Sequence, residues 1–313
     1  MESSSFWLEA KSKHLSALHG KYSERFSPSR KVCVYIDDIC IDADSQSECK
    51  RVSLAILSQL KSHNLVINFE KSEFKVPKIE FLGRIIDGST KTTKQESIER
   101  VRGMQRPIDI STVRKFTGLT DHFRAFIKNY AQIVRPLDRL KQKDVKFVWI
   151  KECERAFNSL KEIITCNPFL QLPDPKLPYE LFTDASHFGC GSVLYQRDTT
   201  QPRAQQLRVI AYQSHTFSKQ EINYSITEKE ASAVITAIKY FRSYLEGESF
   251  LAHTDHIALK HLMELKEPKG RLARWQVFLM SYDVKINHKP GRLLTDADAL
   301  SLDYVWIILF LLH

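Results

Sequence analysis

The order of apolar and polar positions divides the chain into stretches of different period. Residues 1–30 are polar, rich in Ser, Lys and His, and show no clear repeat. From Lys31, the run KVCVYIDDICI reads as two short β-rich segments meeting at Asp37–Asp38, a tight hairpin with carboxylates at its tip. A helix is expected near Gln46–His63, with Val52, Leu54, Ile56, Leu57 and Leu60 as its apolar positions. Strand-like pieces follow around Leu65–Phe69 and Ile79–Ile86, the second containing FLG.

A second unit begins near Thr92. Ser111 is placed to cap a helix running to about Asn129, with Val113, Phe116, Leu119, Phe123 and Phe126 on one face. Arg114, Lys115, Arg124 and Lys128 fall largely elsewhere on it, as a solvated charged face or as a grip on phosphates. The stretch Asn167–Pro178 has four prolines in twelve residues and reads as a linker. Beyond it come strands at Tyr179–Asp184, Gly191–Gln196 and Val209–Phe217, then a long helix at about Thr227–Leu245. A strand at Phe250–Thr254, helices at Ile257–Leu265 and Arg271–Tyr282, a strand at Asp283–Asn287 and a helical piece near Asp298 complete the order. Three strands followed by alternating helices and strands predict a mixed α/β sheet with helices packed on it.

Composition changes this picture in one respect. The chain of 313 residues is 43% hydrophobic and 27% charged, enough for two or three packed domains. Its net charge of +9 is concentrated: Lys91–Lys151 holds fifteen Lys/Arg against six Asp/Glu, an excess of nine. That distribution suits a localised surface for a polyanion. The six cysteines show no C-x-x-C pair and no regular spacing, which argues against zinc binding and a disulfide framework and for a reducing compartment. The N-terminus lacks the layout of a secretory signal, so an intracellular location, cytoplasmic or nuclear, is expected. The apolar run Val305–Leu312 has eight residues, far short of the roughly 20 of a spanning helix. No membrane partner is therefore expected, and the run reads as a surface-docking piece or a non-native end of the reading frame.

Four acids of the last unit stand where chemistry is possible. Asp184 ends a buried strand in ELFTDAS, and Asp255 does the same in FLAHTDH. Glu230 belongs to the apolar stripe Val234, Ala237, Ile238, Phe241 and Leu245 of its helix, where an acid is costly unless a cation or donor meets it. Asp298 lies in TDADALS at the start of the final helical piece. Each alone reads as a surface or capping residue. Converging, they form an oxygen-only set suited to Mg²⁺ or Mn²⁺, and two such ions can cleave a phosphodiester.

TDAS, the NYSITEKE helix start, TDHIALK, RLARWQVFLMSYDVKINHKPGRLLTDADALS and the upstream YIDD together resemble the pol polyprotein of gypsy-type LTR retrotransposons, over about Lys31–Ser301. The resemblance implies an α/β (α+β) chain: a truncated reverse-transcriptase palm (31–90), a basic thumb-like helical unit (91–150), a connection (151–178) and an RNase H-like mixed-sheet domain (179–303). A divergent segment (1–30) and an apolar tail (304–313) flank them. FLG resembles the primer-grip region. In YIDD, Asp37 would bind metal in a polymerase and Asp38 would be secondary. Asp184, Glu230, Asp255 and Asp298 match the RNase H metal-binding acids, Glu230 being preferred to Glu228 on both motif and stripe. His288, ten residues before Asp298, matches a histidine that retroviral RNases H carry in a mobile loop for proton transfer or product release.

The family also needs an upstream palm aspartate. The acids before Lys31 are Glu2, Glu9 and Glu24, none of them in an apolar strand context. An incomplete polymerase is therefore expected beside an intact ribonuclease H site. The activity implied is Mg²⁺-dependent (or Mn²⁺-dependent) hydrolysis of the RNA strand of an RNA–DNA hybrid, with hybrid and primer-template nucleic acid as partners and oligomeric state open. The alternative is a non-catalytic nucleic-acid-binding relic.

Overall fold

Residues 4–11, 32–35, 38–43, 45–88, 90–143, 145–202, 206–254 and 270–288 are described in the computed structural model. The chain divides into two units, Met1–Lys94 and Gln95–His313.

In the first unit, β2 (Val32–Tyr35) and β3 (Asp38–Ala43) pair antiparallel with Tyr35 opposite Asp38. Ser4–Lys11 forms β1, antiparallel to β3, a strand within the stretch that shows no clear repeat. Its composition, SSFWLEAK, mixes aromatic and polar residues as strands do, and β3 offers the ladder it completes. Strands β4 (Val66–Ile67) and β5 (Glu73–Val76) both pair with β1. Helix α1 (Gln46–Ser62) starts at Ser45, whose Oγ accepts from the Glu48 N–H at 3.2 Å. It lays Cys49, Ile56 and Leu60 on Ile39, Ile41 and Ala43 of β3. A meander of β6 (Lys78–Phe81), β7 (Arg84–Asp87) and β8 (Thr90–Thr93) follows. The run expected as one strand-like piece is thus two. Leu82 and Gly83 take φ of 50° and 72°, and this turn sets Phe81 opposite Arg84.

The second unit opens with four helices: α2 (Gln95–Gly103), α3 (Ile110–Asp121), α4 (Tyr130–Arg139) and α5 (Lys151–Thr165). The N-cap of α3 is Asp109, not Ser111: its Oδ1 accepts from the Thr112 N–H at 2.7 Å in a capping box. The helix ends at Asp121 rather than near Asn129. The chain then passes through a 3₁₀ turn at Arg124–Phe126, and Asn129 takes φ of 54°, a left-handed conformation Asn tolerates better than most residues. In α5, Cys153, Ala156, Phe157, Leu160 and Ile164 recur at helical spacing and close a core with Ile98, Val113, Phe116, Tyr130 and Leu137. The proline-rich stretch after α5 is packed, not a free tether. Leu170 of β9 (Leu170–Gln171) is 1% exposed, and Gln196 Nε2 donates to the Asp174 and Leu177 carbonyls at 2.8 and 2.9 Å.

The main sheet has the order β12-β11-β10-β13-β14, formed by β10 (Tyr179–Ala185), β11 (Gly189–Arg197), β12 (Leu207–Thr216), β13 (Phe250–Thr254) and β14 (Val284–His288). β10, β11 and β12 are antiparallel, whereas β13 runs parallel to both β10 and β14. Alternation along β10 splits its side chains between two faces. Tyr179 and Leu181 join Leu194 and Ile210 under Val234 and Ile238 of α6 (Ile226–Tyr240). On the other face, Phe182, Val193, Tyr195 and Tyr212 receive Phe126 and Leu170. Each of these buried side chains contributes about 1.5–3 kcal/mol. Helix α7 (Arg271–Met280) lies before β14, and its Leu279 joins the α6 side of the core. The expected helices at Ile257–Leu265 and near Asp298 lie outside the described residues. Among the described residues, no helix is long and apolar enough to cross a membrane.

Candidate active site

Asp184 is the sixth residue of β10 and is exposed where the strand leaves the core. The pairing sets it opposite Gly191 and sets Gly191 opposite Ser214, so one row crosses β10, β11 and β12. Glu230 lies on α6 and is 5% exposed, on the core-facing stripe its spacing predicted. The start of α6 explains why Glu228 does not share that place. Glu228 closes a capping box with Ser225, its Oε2 accepting from the Ser225 N–H at 2.9 Å, and Arg271 Nε stands 3.4 Å from its Oε1.

Cys190, beside this row, brings the acids together electrostatically. Its thiol is pushed up to about 12, first by burial and then by the charges of Glu221, Glu230 and Asp184. Three carboxylates from β10, α6 and the turn after β12 thus act on one buried sulfur. Sequence reasoning missed Glu221, which is anchored by the Ser218 N–H at 2.7 Å and lies 3.2 Å from His215 Nε2. Its motif neighbours in SKQEINYS gave no period to find it by.

Asp255 and Asp298 lie outside the described residues, as does Asp37. Among the described residues, no group of three or more His, Cys, Asp or Glu side chains forms a metal cluster. The donors that are described, Asp184 and Glu230, are carboxylate oxygens at one end of the sheet, which fits a hard divalent cation. His288 is the last residue of β14, in register with Thr254, the residue before Asp255. It therefore ends a strand rather than standing in a loop, and it is exposed.

The four basic residues do not share one surface role. Arg114 and Lys115 are exposed on α3. Arg124 is half-buried, with Nη1 3.2 Å from Asp121 Oδ1 and its guanidinium over the Tyr130 ring. Lys128 is half-buried next to the acid row. Burial lowers its ammonium pKa, and the charge of Asp184 acts in the opposite direction.

In the first unit, Asp38 opens β3. The register places Glu9 of β1 opposite it, so one of the acids before Lys31 lies in a strand beside the hairpin, although no apolar strand context was expected for any of them.

Comparison with known proteins agrees with both units. Residues 11–86 match the family described as reverse transcriptase (RNA-dependent DNA polymerase), and residues 174–282 match the RNase H-like domain found in reverse transcriptase. The chain is thus of the class that joins a reverse-transcriptase domain to an RNase H-like domain. More narrowly, it belongs with the Pol polyproteins of gypsy-type LTR retrotransposons. It is 36% identical over 280 residues to the Transposon Tf2-3 polyprotein of Schizosaccharomyces pombe, covering 87% of this chain and 20% of that protein. It is 36% identical over 269 residues to the retrovirus-related Pol polyprotein from transposon 297 of Drosophila melanogaster, covering 86% of this chain and 25% of that one. The chain therefore spans only a fifth to a quarter of these relatives. A foamy viral protease-reverse transcriptase, solved in complex with an RNA/DNA hybrid, shares its fold with a TM-score of 0.73 at 16% identity, over 91% of this chain and 44% of that one.

Proposed function

We propose that the chain is a ribonuclease H, hydrolysing the RNA strand of RNA–DNA hybrids at a site made by Asp184, Glu230, Asp255 and Asp298. The observation that carries this reading is the joint action of Asp184 and Glu230 on Cys190, which puts a strand-end and a helix carboxylate in one neighbourhood. The family match at 174–282 supports it. Mg²⁺ or Mn²⁺, held by these acids, would supply activation of the attacking water and stabilisation of the leaving oxygen. Water oxygen bonds to phosphorus as the bond to the 3′-oxygen breaks, leaving a 3′-hydroxyl and a 5′-phosphate. Asp184, exposed at the end of β10, would hold a metal ion that in turn meets the scissile phosphate. Glu230, buried on α6, would hold the metal from the helix side. His288, exposed at the end of β14, serves proton transfer or product release. Arg114 and Lys115 hold the duplex by its phosphates, so cleavage follows hybrid shape more than sequence. Asp37 and Asp38 belong to the reverse-transcriptase part and take no step in this reaction.

The test is cleavage of end-labelled RNA–DNA hybrid and RNA–RNA duplex by the full chain, with Mg²⁺, with Mn²⁺ and with chelator. Cleavage of the hybrid alone, dependent on metal and abolished in Asp184→Asn, is expected. An Asp184→Asn chain that cuts as fast as the parent rejects the site. A folded parent that binds hybrid but never cuts it establishes the non-catalytic alternative.

A further inference from the structure

A cluster of carboxylates repels itself, and proteins relieve such repulsion with a nearby cation. The helical part of the second unit brings one to the acid row. Residues 128–131 lie across Asp184, Gly191 and Ser214. The Asn129 side chain approaches Gly191 so closely that a Cβ there would stand 2.3 Å from its Oδ1. The Ala131 N–H donates to Ser214 Oγ at 2.9 Å. Farther along, the Arg135 guanidinium lies 3.5 Å from the centre of the Phe188 ring, at the tip of the β10–β11 hairpin. Lys128 begins this clamp, half-buried and facing the charge of Asp184.

We propose that Lys128 is the acid site's own counter-cation, offsetting the charge at Asp184 in the metal-free chain and opposing the binding of a divalent cation there. This rests on the ribonuclease H reading of Asp184. It separates Lys128 from Arg114 and Lys115, with which its sequence position grouped it: those two are exposed, whereas Lys128 is half-buried and feels the charge of Asp184. An ammonium fixed beside a dication repels it. By Coulomb's law a +1 and a +2 charge roughly 7 Å apart in water repel enough to weaken binding about fivefold to tenfold. The contacts of Asn129 and Ala131 seat the lysine backbone beside the acid row.

The experiment is titration calorimetry of Mn²⁺ into the full chain at fixed pH without nucleic acid, following the binding that Asp184→Asn removes. Lys128→Met and Lys128→Gln should each bind Mn²⁺ about fivefold to tenfold more tightly, while Lys128→Arg, which keeps the charge, should stay at the parent's affinity. A merely structural role for Lys128 would weaken binding or leave it unchanged. Parent-like or weaker Mn²⁺ affinity in both neutral variants, with binding still lost in Asp184→Asn, overturns the counter-cation and leaves the metal site standing. Undiminished Mn²⁺ binding in Asp184→Asn overturns the metal site and the counter-cation with it.

Discussion

His253 donates from Nε2 to Glu180 Oε2 at 3.0 Å across the parallel pair β10–β13, and neither side chain is more than 6% exposed. Arg197 of β11 completes the group, its Nη2 donating to Glu180 Oε2 at 2.9 Å and its Nε to Oε1. One carboxylate therefore ties three adjacent strands, two of which lead to Asp184 and Asp255. Burial pushes the Glu180 carboxyl up, but the hydrogen bonds from Arg197 and His253, together with their charges, outweigh it, and its pKa falls from 4.5 to about 2.

The direction of that shift fixes the acid response. The stabilisation is complete above the ordinary value of 4.5 and is lost as pH falls from there through about 2. Its size is about 3 kcal/mol. Glu180→Gln should lose at least that much at pH 7, because it strands a half-buried guanidinium. Urea unfolding at pH 7, 5 and 3 checks this: the parent weakens between the last two points, and the variant's loss relative to the parent shrinks there. A variant as stable as the parent at pH 7 would show the network to be idle.

Gly189 is a second sensitive point. A Cβ there would stand 2.4 Å from the His215 carbonyl oxygen, a backbone atom that cannot swing aside. Gly189→Ala should cost about 1–3 kcal/mol and loosen the hairpin next to Asp184. Gly191→Ala meets only the end of the Asn129 side chain and should cost less. Thermal melts of the two variants rank them, and the reverse order would contradict the packing.

Arg114 and Lys115 are exposed on α3 and free to meet phosphate. Replacing both with Gln should weaken hybrid binding and reduce the slope of log affinity against log salt by up to about 1.8, or roughly 0.9 per lost contact. Fluorescence anisotropy from 50 to about 200 mM salt measures it. An unchanged slope would mean these charges touch no phosphate. Arg124→Gln, which breaks the contacts with Asp121 and Tyr130, should lower stability instead.

The strands of the main sheet were legible because their periods are local. Short apolar runs built on Leu and Phe end at Asp184 and Thr254, and the stripe through Val234 and Ile238 turned Glu230 inward. Other features were not local. Helix α5 has a clear stripe through Phe157 and Leu160, yet the prolines just after it drew the whole stretch into a linker reading. Leu82 carries a positive φ that no leucine advertises, so the β6–β7 turn looked like continuous strand. Strand β1 depends on β3 as a partner more than on its own pattern. The setting of Lys128 depends on a contact between residues 129 and 191, which no window of sequence contains.

Because Phe126 and Leu170 cover the Phe182, Val193, Tyr195 and Tyr212 face, the sheet and the helices before it share one cooperative stability. A cut at Pro178 would not free a soluble domain. It would bare four adjacent large side chains, three of them aromatic, on a surface that water has never reached, a patch of the kind that drives self-association. Expression of 179–303 alone should give aggregates, and the whole second unit should melt in a single transition. In this chain the segment that carries Phe126 and Leu170 is part of the sheet's own core, so the sheet ends at a packing boundary that lies upstream of its first strand.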